Sequence, residues 1–328
     1  MKLKILLTTI FCVESLLLMA QPLFTLEEHS AYVTFAEFTP DSLYLLSGSY
    51  DETLILYEIE KFKELRTYKA HTSFINTVAV SKDGKMIASG SQDKSIIIWE
   101  LEKKKPLAVL FGHDFGVLSV AFNNNSTLLA SGSADNTIRI WDMQRFTTVN
   151  TMIGHTDIVN TICFSPDGKM LASGSGDETI KLWDVSNGME IKTLEGHTNW
   201  VQNVIFSKDG TKLISASGDK TIKIWDIETG NVILSINTGT YLATPLAISP
   251  DGKYFFSESP DRVISAWDIE AGSLAYTLEG NSSWIEHIGV SPNGKLVCSG
   301  GADNTVRIWN VPPQFQPAEA TTEDKEEN

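Results

Sequence analysis

The sequence is short of the residues that most chemistry needs. Of 328 residues only three are cysteines (Cys12, Cys163 and Cys298) and six are histidines. No metal-ligand spacing, phosphate-cradling glycine loop or H-E-x-x-H pattern is present, so neither a metal nor a cofactor is expected. No helical i, i+3, i+4, i+7 pattern occurs after residue 20, and the chain reads as nearly all β. A basic stripe is also missing. Lys103-Lys104-Lys105 is a cluster in a solvated turn, and 41 acids against 26 lysines and arginines give a net charge of −15. That balance argues against a nucleic-acid partner.

A long apolar run occurs only at the start. Met1-Lys2-Leu3-Lys4 leads into ILLTTIFCVESLLLMA and then Gln21. The basic start, the apolar run too short to span comfortably and the small Ala20 resemble an export signal cut after residue 20. Glu14 and Leu18 depart from that pattern, and the residues before Cys12 do not match a lipoprotein signal. Export, periplasmic or secreted, with no membrane span left in the mature chain, is the expectation. A cytoplasmic chain and an uncleaved anchor are the alternatives.

What fills the rest is repetition. Trp99, Trp141, Trp183, Trp225, Trp267 and Trp309 stand 42 residues apart, with Tyr57 one step earlier. Ser47, Ser89, Ser131, Ser173, Ser215, Ser257 and Ser299 keep the same beat, as do Asp51, Asp93, Asp135, Asp177, Asp219, Asp261 and Asp303. A period near 40 residues marks a repeat architecture whose units share a core. The repeat also explains the acidity. Seven turn aspartates, five acids in the first turns and six after the aromatic belong to the scaffold; without those 18, 23 acids face 26 bases.

The fourth copy, residues 154–195, alternates short β-rich runs (IVNTICF, KMLAS, TIKLW, EIKTL) with Pro166-Asp167-Gly168, Gly176-Asp177 and Asn187-Gly188. Four strands and three tight turns make a small antiparallel sheet. Gly154-His155, Ser173-Gly174-Ser175, Asp177 and Trp183-Asp184, at these spacings, resemble the WD-repeat (WD40) signature. The resemblance covers almost the whole chain after residue 20. It implies an all-β, seven-bladed β-propeller and, within each blade, a hydrogen-bonded chain from Trp through Ser and His to Asp. A buried indole N–H needs such a partner.

The full sets are His71, Ser89, Asp93 and Trp99; His113, Ser131, Asp135 and Trp141; His155, Ser173, Asp177 and Trp183; and His197, Ser215, Asp219 and Trp225. Tyr57 replaces Trp in blade 1, while Gly239 and Asn281 stand at the His position of blades 6 and 7. These three blades are expected to be less tightly tied. A Ser-His-Asp trio invites a protease reading, but a trio recurring from blade to blade is structural, since a catalytic triad needs one open nucleophile.

Past Trp309 the prolines of Val311-Pro312-Pro313-Gln314-Phe315-Gln316-Pro317 rule out a ladder strand. A shift of six periods aligns Phe24–His29 with Tyr276–Asn281, so residues 22–27 are expected to complete the last blade and close the ring. The resulting organisation is a signal over 1–20, one propeller over 21–311 and a disordered acidic tail over 312–328. Cys163 and Cys298 fall on inner strands of blades 4 and 7, too far apart for a disulfide.

In WD-repeat proteins partners commonly dock at one mouth of the channel, and the resemblance points to three positions per blade. Three after His they are Tyr32, Phe74, Gly116, Ile158, Trp200, Leu242 and Trp284; five after, Thr34, Asn76, Leu118, Asn160, Gln202, Thr244 and Glu286. Before the turn Asp they are Tyr50, Gln92, Ala134, Gly176, Gly218, Pro260 and Ala302. Packing accounts for Ile158 and Leu242. The exposed face is expected from Tyr32, Tyr50, Phe74, Trp200 and Trp284 with the amides Asn76, Gln92, Asn160 and Gln202 and the acid Glu286, since aromatics dominate interface hot spots.

The leading expectation is a non-catalytic scaffold for a protein or peptide. A carbohydrate-binding propeller using Trp200 and Trp284 is the alternative. A hydrolase drawing on Asp114, Asp157, Glu258, Glu286 and His287 ranks behind both, since no acid and base are matched. Blade 6 departs most, with Gly239, Pro245 and Glu258. Function and drift both account for that.

Overall fold

The computed structural model describes residues 19–239 and 245–317. Blade 4 shows how the sequence becomes a sheet. Its strands, Val159–Phe164, Met170–Ser175, Ile180–Asp184 and Glu190–Leu194, pair antiparallel in chain order. At the first turn Asp167 Oδ1 accepts the Lys169 N–H at 3.0 Å and the Ser165 hydroxyl at 2.6 Å, and Gly168 takes a φ of +71° that few other residues tolerate. Seven such sheets lie in order around a ring, spanning 33–69, 75–110, 117–153, 159–194, 201–237, 246–278 and 285–310. The only helical elements among the described residues are two 3-10 turns, Pro260–Arg262 and Pro313–Phe315. No helix among them is long and apolar enough to cross a membrane.

The core lies between blades. Gly174, on the second strand of blade 4, faces the first residue of the next inner strand, and a Cβ there would stand 2.5 Å from Val201 Cγ1. Gly48, Gly90 and Gly132 meet their neighbours as closely. Small residues at this point let one sheet lie against the next. Blade 5 has Ala216 there, and blade 6 has Glu258. Among the described residues blade 6 also has the shortest inner strand, Leu246–Ile248.

The ring closes as the repeat alignment expects. Phe24–Leu26 pairs antiparallel with Val306–Asn310, Leu26 opposite Val306, and Leu26 is buried among Val33, Tyr57 and Ile308. Two segments carry structure that the sequence pattern does not suggest. Met19–Ala20, expected as the end of a leader, forms a short strand parallel to Leu274–Leu278 and makes blade 6 five-stranded. Residues 312–317, expected to begin a disordered tail, fold back on the propeller. Phe315 stacks on Tyr276 at 4.5 Å and meets Tyr254 edge-on at 5.6 Å, an apolar contact that the proline-rich sequence did not suggest. The expected leader up to residue 18 and the acidic stretch from 318 lie outside the described residues.

Candidate functional site: the aromatic mouth of the channel

The side-chain relay is present in blades 2 to 5. Trp Nε1 donates to Ser Oγ at 2.8–3.0 Å, Ser meets His Nε2 at 2.7–2.8 Å, and His Nδ1 meets Asp at 2.8 Å. One proton arrangement satisfies all three bonds: the hydroxyl donates to Nε2 and Nδ1–H donates to the carboxylate. Burial would raise the Asp177 carboxyl, but hydrogen bonds from Thr179, the Thr156 N–H and His155 outweigh it and hold it at about 2. Burial lowers the pKa of His155, partly offset by Asp177.

The expected loosening of blades 1, 6 and 7 falls unevenly. In blade 1 His29 still meets Ser47 at 2.6 Å and Asp51 at 2.9 Å. In blade 7 Ser299 donates to Asn281 at 2.9 Å, and Trp309 turns to the Glu279 carbonyl at 2.8 Å. Among the described residues blade 6 keeps only Trp267 to Ser257, at 3.0 Å. Its turn residues Asp261 and Arg262 both adopt φ near +66°, an arrangement costly for non-glycine residues.

The connectivity Ser–His–Asp is that of a hydrolytic triad, yet the serines are sealed. Ser173 has no exposed surface and its oxygen already accepts the Trp183 N–H. The ionisable candidates do not assemble either. His287 lies in the channel wall, where its Nδ1 donates to the Ala36 carbonyl at 2.9 Å and its ring rests on Phe35; burial pushes its pKa down to about 4. Glu258 is 3 % exposed and is pushed up to about 8, by burial first. Asp157 accepts the Ile158 N–H, and the Asp114 N–H bonds Asp135. Among the described residues no hydrogen bond joins any two of these five, and no group of three His, Cys, Asp or Glu could hold a metal.

The aromatics expected at the mouth are stacked or exposed. Tyr32 stacks on Tyr50 at 5.8 Å and Tyr50 on Phe74 at 4.5 Å, so three rings from blades 1 and 2 form one continuous stack. Phe74, Trp200 and Trp284 are each about half exposed, at 47, 52 and 55 %. Burial, then nearby Glu286 and Tyr32, raises the Tyr50 hydroxyl pKa, and burial likewise raises that of Glu286. Ile158 is half-buried. Leu242 and Thr244 lie outside the described residues. Phe115, which the register did not single out, is 59 % exposed and carries Lys94 Nζ 5.6 Å from its ring. It stands two residues after His113, one short of the position compared between blades. Gln92 lies across Gly116, where any Cβ would strike its amide.

The positions five after His act partly between blades. Thr34 donates to the Ile75 carbonyl at 2.7 Å, Asn76 to Val117 at 2.9 Å and Asn160 to Val201 at 3.0 Å. A second row runs the other way: the Val120, Ile162 and Val204 N–H groups bond Thr77, Ser119 and Thr161 at 3.1–3.4 Å. These latches line a channel of about 500 Å³. The carbonyl that would continue the series from Gln202, on residue 243, lies outside the described residues, and the buried Gln202 Oε1 has no partner among those described. Deeper in, Glu37 is pushed up to about 7 by burial, which Lys82 offsets in part.

Sheet order, closure and the repeated relay define a seven-bladed WD-repeat propeller. Six stretches, residues 20–58, 62–100, 104–142, 146–184, 188–226 and 272–310, match the WD40 family model, described as WD domain, G-beta repeat. They cover more than half of the chain, which belongs to that family, and the fold is one that commonly serves as a protein-interaction scaffold. The unit left unmatched ends on blade 6, where the relay is reduced to one bond. No curated protein matches the chain significantly.

Proposed function

We propose that the protein is a non-catalytic scaffold that binds a segment of a partner protein across the aromatic mouth. The observation that carries this reading is the Tyr32–Tyr50–Phe74 stack, an exposed and pre-ordered surface flanked by Trp284 and Phe115 and faced by Trp200. Rigid aromatic surface loses little entropy on binding and supplies hot spots worth about 2 kcal/mol or more each. A peptide suits it better than a sugar, because the Asn76 and Asn160 amides already bond neighbouring blades. The test is affinity capture of partners with wild type and with Trp200→Ala/Trp284→Ala. The expected result is loss of specific partners with an unchanged melt; retention of all of them refutes the proposal, and a hit on a glycan array favours the sugar reading. We also propose that residues 1–20 direct export, tested by fractionation and N-terminal sequencing. A mature chain starting at Gln21 is expected, and a cytoplasmic chain starting at Met1 refutes it.

A further inference from the structure

The outer strands of the blades share one register, so the side chains that each turns away from the core can be compared directly. In blade 4 the second and third of these are Thr193 and Glu195, and in blade 1 they are Thr67 and Lys69. Polar and charged residues at such places keep an open edge from recruiting another strand. Blade 3 has Thr151 and an exposed Ile153, and blades 1, 3, 4 and 5 each carry an apolar residue at the first position. Blade 2, however, is apolar at both the second and third, with Val109 and Phe111 in line with Leu107, the three being 42, 75 and 44 % exposed. Ala108 and Leu110, between them, turn onto the core. The strand Pro106–Leu110 is bonded on one side only, to Ile96–Glu100. Blade 6 shows what such an edge accommodates while residues 1–20 are still attached: Met19–Ala20 lies parallel along its outer strand, and the Glu279 N–H donates to the Ala20 carbonyl at 2.9 Å.

We propose that the outer edge of blade 2 is a second docking surface, which takes an extended segment of a partner protein as a fifth, parallel strand. Main-chain bonds hold such a strand and alternate side chains select it. Residues facing Leu107, Val109 and Phe111 are apolar. Lys104 and Lys105, exposed just before Pro106, lie beside the start of a parallel strand, so the segment is acidic at its N-terminal end.

A phage-displayed library of random ten-residue peptides, panned on the full chain with counter-selection on Val109→Thr/Phe111→Glu, tests this. The new residues are those that blade 4 carries in the same register, and an unchanged melt verifies the fold. Leu107→Lys is a second variant. Enriched peptides are expected to combine an acidic N-terminal end with alternating apolar residues. Their synthetic forms should bind wild type at least tenfold more tightly than either variant, and Trp200→Ala/Trp284→Ala as tightly as wild type, which separates this edge from the mouth. Enrichment of nothing, or equal binding to the edge variants, overturns the proposal. So does a wild-type dimer in sedimentation that Val109→Thr/Phe111→Glu dissolves, because a second copy then occupies the edge.

Discussion

Replacing Ser173 by alanine removes one oxygen and leaves two buried polar groups without partners. Its Oγ accepts the Trp183 indole N–H at 2.8 Å and meets His155 Nε2 at 2.7 Å, and neither partner is more than 6 % exposed. A buried group left unpaired costs about 1–3 kcal/mol, so Ser173→Ala should lose roughly 2–5 kcal/mol. Ser257→Ala in blade 6 is the internal control. There, among the described residues, the serine has only the Trp267 N–H, at 3.0 Å, on a partly exposed residue, and the loss should be about 1 kcal/mol. At about 2 °C per kcal/mol for a chain of this size, the melts should fall by roughly 4–10 °C and about 2 °C. Urea unfolding of both variants, with Trp183→Phe and the Trp183→Phe/Ser173→Ala pair to complete a double-mutant cycle, checks the assignment. Equal losses for the two serines, or strict additivity in the cycle, would refute the relay as the source of the stability.

Leu26→Ala, in the closing strand, should lose about 2–5 kcal/mol for a buried leucine, and deletion of residues 21–28 should lower the melt further; an unchanged melt rules out closure by that strand. Acid should act in two stages. Burial holds the pKa of His71, His155 and His197 below its ordinary value, so the unfolded chain takes up protons first and stability falls as pH drops below about 6.5. The depressed Asp93, Asp177 and Asp219 contribute fully above about pH 4, and that contribution is lost as pH falls towards 2. A melt that is flat between pH 7 and 5 contradicts the first stage. Glu258→Ala should stabilise by about 1 kcal/mol, since Oε2 is buried with no partner among the described residues, a gain partly offset by the Ile285 N–H, which loses its 3.3 Å bond to Oε1. Folded Glu258 keeps its proton to about 8, whereas the unfolded chain releases it near about 4.3. The gain should therefore be larger at pH 8 than at pH 5, and urea titrations at both values decide it.

The parts legible in the sequence are those whose partners stand at a constant distance along the chain. His155 and Asp177, or Phe24 and the end of the last blade, follow from register alone. The parts that escaped depend on what another blade brings. Asn76 and Asn160 read as free amides because the carbonyls they bond, on Val117 and Val201, belong to the next sheet. Phe115 is exposed one place out of register. Phe315, in a stretch that reads as tail, has an apolar face to cover on Tyr254 and Tyr276.

Periodicity therefore settles how many blades there are, how each is hydrogen-bonded within itself and which end of the chain closes the ring, because those interactions repeat with the chain. Ring closure decides the rest. Which rings stack at the mouth, which polar side chains are taken up between blades and which outer edge stays apolar are set by packing between sheets, and the 42-residue beat carries no record of that packing.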